Sequence, residues 1–153
     1  MMIGSDKDIS TLNSLIKTTI DSVNGYQESA EAVESERFKS MFRELAQDRQ
    51  QVVPKLQAEV SRMGGNPEDD GSTAAAMHRG WVDLKSAITG RDDKAIINEV
   101  ERGEDYIKGK FEDALNSGDL SPECRNTVQQ CYESVRRGHD RVSELKHAME
   151  GTH

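Results

Sequence analysis

Apolar positions recur along this chain at a helical period almost from end to end. Leu12, Leu15, Ile16, Thr19, Val23, Tyr26 and Ala30 fall at three- and four-residue spacing, the stripe of one helix face. A first helix is predicted from about Asp8 to Val33, opened by a weak capping box, Ser5-x-x-Asp8. "ESE" at 34–36 makes a tight corner with Ser35 as N-cap. A second stripe follows: Phe38, Met41, Phe42, Leu45, Val52, Leu56 and Val60. Pro54 lies inside that helix, and Gly64-Gly65 close it after about Met63.

The polar stretch "NPEDDGS" reads as a loop, with Ser72 capping a shorter helix, "TAAAMHRGWVDLKSAI", that Gly90 stops. A third long helix starts near Asp92 and ends at "NSG". "SPE" at 121–123 puts Ser at the N-cap, Pro at the first helical position and Glu in the first turn of a fourth. This helix runs to about Met149, with Val128, Cys131, Tyr132, Val135, His139, Val142 and Leu145 inward. The first and third links between long helices are short, so each joins an antiparallel pair. The second is long and returns the chain to its starting end. The prediction is an all-α, up-down-down-up four-helix bundle, a single domain over 8–150, with an extra short helix in the long crossover.

Composition narrows the function classes. The chain has 153 residues, 31% charged and 5% aromatic, which favours helices with narrow apolar stripes over a sheet core. A net charge of -8 argues against nucleic-acid binding, which needs a basic stripe. No apolar run approaches the roughly 18 residues of a membrane span. "MMIGSDKDIS" has no basic region followed by an apolar one, so a cytoplasmic protein is expected. Cys124 and Cys131 are seven residues apart, about 10 Å along a helix. That is too far for a disulfide between them, and buried thiols are expected.

Three polar residues interrupt the core-facing stripes. On helical wheels Arg49 lies about 40° from Leu45, Glu104 about 60° from Ile107, and His139 about 40° from Val135. Arg49 and Glu104 sit almost at mid-helix, and His139 about one turn beyond. An isolated buried ion is costly, so an internal Arg needs a carboxylate and an internal Glu a cation. One network joining Arg49, Glu104, His139 and the Tyr26 hydroxyl is the most economical arrangement. The alternatives are long side chains that snorkel out at the stripe's edge, or a metal held by Glu104 and His139. Gly103 would permit a close helix approach, and Glu99 and Glu101 are expected in water or in surface pairs.

"LNSLIKTTIDSVNGYQESAE", "HRGWVDLKSAITGRDDKAIINEVERGEDY" and "GHDRV" resemble an uncharacterised bacterial family, domain of unknown function 2383. The resemblance spans about residues 8 to 148 and implies a ferritin-like four-helix bundle. Such bundles hold two irons with a Glu from each of two helices and Glu-x-x-His from each of the others. This sequence departs from that set. Arg49 and Val52 stand at the Glu and His positions of the second helix, and Arg136 at the Glu position of the fourth, leaving His139. The first helix brings Tyr26 and Gln27 towards the core but no clearly inward Glu; Glu28 points away and Glu31 is marginal. The third keeps Glu101 and Glu104. At most three of about six ligands survive, and Arg49 adds a fixed positive charge.

The sequence therefore points to a non-catalytic ferritin-like bundle with no catalytic residue, metal or cofactor, a stress-related or interaction protein. A homodimer or another protein is the partner this allows. The rival reading is a degenerate but active metal-binding or ferroxidase-like protein. Cys131 and His139 are about 12 Å apart along the axis, too far for a nucleophile and its base. His78 and Trp81, one turn apart on the crossover helix, make a second candidate site. Trp81 is expected to anchor that helix, with Leu84 and Ile88 continuing its face. His147 and His153 look incidental.

Overall fold

A computed structural model describes residues 2–68, 81, 84–90, 92–118 and 120–150. They form helices α1 (Met2–Ala32), α2 (Glu36–Arg62), α3 (Leu84–Thr89), α4 (Asp93–Asn116) and α5 (Pro122–Glu150), and no strand occurs among them. His78, Ser72 and most of the predicted crossover helix lie outside the described residues.

The helix ends follow local chemistry. Ser35 Oγ accepts the Phe38 N–H, and the Asp92 carboxylate accepts the Lys94 N–H, so each satisfies a donor left over at a helix start. Ser121 does the same for Cys124 ahead of Pro122. α2 ends in a Schellman turn: Gly64 takes a φ of +83°, and Gly65 N–H reaches back to the Val60 carbonyl. The expected start of α1 needs correction. The helix begins at Met2, so Ser5 and Asp8 lie inside it. Asp8 is occupied elsewhere, because its carboxylate accepts the Ser121 N–H at 3.3 Å.

Side-chain pairs fix the helix directions. Ser22 meets Arg49 and Asn13 meets Asn66, so α1 and α2 are antiparallel. Asp105 meets His139 and Glu101 meets Lys146, so α4 and α5 are antiparallel. The Asp93 carboxylate accepts the N–H groups of Glu34 and Ser35, which ties the start of α4 to the α1–α2 corner. Asp8 on Ser121 ties the opposite end of α1 to the start of α5. The order is thus up-down-down-up, with α2 and α4 parallel across the crossover.

The apolar interior divides into two clusters. One gathers Leu12, Leu15, Leu56, Phe111 and Val128 at the end where α5 begins. The other gathers Tyr26, Phe42, Trp81, Ile96 and Val142 at the α1–α2 corner end. Cys124 and Cys131 are buried free thiols, and burial pushes both up to about 11. No described helix is long and apolar enough to cross a membrane.

Candidate functional site

A polar layer separates the two apolar clusters, and Arg49 is its centre. The stripe of α2 carries Arg49 inward with Leu45, Val52 and Leu56. Opposite, Glu104 lies between Val100 and Ile107 on the buried face of α4. Their side chains are 1% and 0% exposed. The guanidinium meets the carboxylate as a fork: Nη1 donates to Oε1 at 2.7 Å and Nη2 to Oε2 at 2.6 Å. Nη1 also donates to Ser22 Oγ at 2.7 Å, and Nη2 to the Val135 carbonyl at 3.4 Å. One side chain from α2 thereby binds α1, α4 and α5. Burial acts most strongly, against the guanidinium charge, but the Glu104 carboxylate, with smaller contributions from Tyr26 and Asp48, more than offsets it and holds Arg49 protonated.

Two further residues shape this layer. Gly138 on α5 leaves space for the guanidinium, since a Cβ there would stand 2.6 Å from Nη2. Tyr26 turns its ring towards Arg49, with Cζ 5.6 Å from the ring centroid. The Tyr26 hydroxyl is buried and makes no hydrogen bond among the described residues. Its pKa is pushed well up by burial and the neighbouring Glu104 charge.

His139 does not join the network. It lies at the bundle's edge, 19% exposed, with Nε2 2.7 Å from Asp105 Oδ1 and Nδ1 3.4 Å from Asp140. Two acidic side chains on that edge hold the imidazole outward, and Gly138 opens the adjacent inward position to Arg49. Ser22 and the Val135 carbonyl make the bonds that His139 and Tyr26 were expected to supply. Sequence signals existed for Ser22 and for Gly138. Ser22 adjoins the Thr19–Val23–Tyr26 stripe, and a mid-helix glycine costs about 1 kcal/mol relative to alanine unless packing requires it.

Three other expectations change. Glu99 is buried at 3%, and its carboxylate accepts from Arg102 Nη1 at 3.1 Å, one turn further along α4. Glu101, by contrast, makes a pair of the expected kind, with Lys146 across on α5. Gln27 is exposed rather than near the core. Gly103 admits an indole, not a helix. Trp81 is buried in a cradle where a Cβ on Gly25 would come within 2.6 Å of it, and one on Gly103 within 2.5 Å. Tyr26 meets the same indole edge-on at 5.5 Å. Trp81 so anchors the crossover between α1 and α4, while its predicted neighbour His78 lies outside the described residues.

The di-iron centre implied by the family resemblance does not fit these residues. Both Glu104 oxygens are engaged by Arg49. At an effective dielectric of about 20, like unit charges about 4 Å apart repel by roughly 4 kcal/mol, and a divalent ion fares worse beside a guanidinium. Among the described residues no three His, Cys, Asp or Glu side chains gather as a ligand set.

Comparison with known families finds one described as "Domain of unknown function (DUF2383)", matched over residues 7–117. No curated protein matches the chain.

Proposed function

The chain belongs to the family of domain of unknown function 2383, and from that premise we propose that it is a non-catalytic, ferritin-like bundle that acts through its surface as an interaction protein. One observation supports this reading most: the bidentate Arg49–Glu104 pair occupies the middle of the four-helix interior, where related bundles keep metal ligands. The pair performs the electrostatic role of a metal, since a fixed cation balances an internal carboxylate and joins all four long helices. A centre saturated in this way has no open coordination position and no group poised to receive a proton from a substrate. What remains for function is the outer face.

Iron loading tests the reading. Ferrous iron is added anaerobically to purified protein, and oxygen is then admitted. The expected result is no stoichiometric uptake and no di-ferric absorption band. Uptake of about two irons per chain with that band, as in intact di-iron bundles, would establish the metal-binding rival.

A further inference from the structure

Beyond the reading above, and on different residues, a groove of about 400 Å³ lies between α2 and α5. Its walls carry Lys55 from α2, and Arg137 and Arg141 from α5, against the single carboxylate of Asp48. Such an excess of positive charge runs against a chain of net charge -8. Arg141 also pairs with Glu44 at 3.1 Å, while Lys55 and Arg137 have no ion-pair partner among the described residues. Ser134 adds a hydroxyl to the same wall, and Gly138 lies in the lining. Gly138 also adjoins the buried Arg49 layer, since a Cβ on it would stand 2.6 Å from Arg49 Nη2.

We propose that this groove binds the phosphate group of a small phosphorylated molecule. The volume is in the range of small-ligand sites. Arg137 and Arg141 stand one turn apart on one wall, and Lys55 stands further along the other, near Cys131, in the register that Glu44–Arg141 and Glu59–Thr127 set. A phosphate lying along the groove between Arg137 and Lys55 meets donors from both helices. A tetrahedral phosphate accepts from several directions at once, whereas a carboxylate accepts largely in one plane. Three cations confined to one groove do not make the extended stripe that a nucleic-acid backbone requires.

The test is calorimetric titration of the full chain with inorganic pyrophosphate at low salt, with citrate as the carboxylate comparator. Saturable one-site binding is expected, weakened about tenfold or more in Lys55→Ala/Arg137→Ala, which loses two charge-assisted contacts. Both side chains are exposed, so the helical circular dichroism should not change. Ser134→Leu, which fills the groove without altering its charge, is expected to weaken binding too. Arg125→Ala, on α5 but outside the groove, should bind as the natural chain does. Absence of saturable binding, undiminished binding in both groove variants, or citrate binding as tightly as pyrophosphate would overturn the proposal. Iron uptake and pyrophosphate binding depend on separate residues, so either reading can fail without the other.

Discussion

Gly138 and Arg49 fit each other: a Cβ at position 138 would stand 2.6 Å from Arg49 Nη2, closer than packed atoms tolerate. The glycine gives up helix propensity in the middle of α5 so that a guanidinium can lie flat against the backbone. Gly138→Ala should therefore destabilise the fold by about 1–3 kcal/mol, the usual cost of overpacking. Gly109→Ala, where a Cβ meets nothing within 4 Å, should instead stabilise α4 by up to about 1 kcal/mol. Urea unfolding of the two variants checks the contrast. Equal effects would mean that Arg49 yields freely.

Removing one member of the central pair is predicted to be worse than removing both. Arg49→Leu leaves a buried carboxylate uncompensated and should cost about 3–5 kcal/mol. Arg49→Met combined with Glu104→Leu should recover most of that loss, because an apolar layer has no charge to desolvate. A double-mutant cycle on unfolding free energies measures the coupling. Additive losses would show that the two side chains act independently.

Trp81 is the only tryptophan, so its emission reports directly on the crossover. Gly103→Ala would place a Cβ 2.5 Å from its ring and should displace the indole towards water. The expected signature is a red-shifted emission maximum and a lower melting temperature. Gly25→Ala should do the same from the α1 side. An unchanged spectrum in both variants would contradict the cradle.

Acid should loosen the end of the bundle where α5 begins. Arg62 donates to the Glu59 carboxylate and, with Cys124 and Thr127, holds it below the ordinary Glu range despite the opposing effect of burial. A folded pKa below the unfolded one gives stability that is fully present above about pH 4.3, the unperturbed value. That stability is lost as pH falls through the folded value. Melting temperature followed from neutral pH into this window should fall less steeply for Glu59→Gln than for the natural chain. Parallel curves would exclude Glu59 from the acid transition.

The sequence by itself determined the helices and their order. Ser35, Asp92, Pro122 and Gly64 mark helix boundaries through local backbone chemistry, which acts over three or four residues and is complete in the chain. Link lengths then set the up-down-down-up course. The pairing of Arg49 with Glu104 was also legible, because both stand on apolar stripes at matching depth and neither charge is tolerable alone.

Residues at the edge of a stripe were decided only by tertiary structure. A helical wheel places a side chain to within tens of degrees, and there a neighbour on another helix settles whether it turns in or out. His139 turns out because Asp105 is within reach, and Gly138 vacates the inward position beside it. Glu99 turns in and pairs with Arg102 one turn on. Gly25 and Gly103, far apart in sequence, share meaning only because Trp81 comes between them. Local periodicity carries the direction of each side chain from its own axis; which partner stands in that direction is a property of the packed bundle.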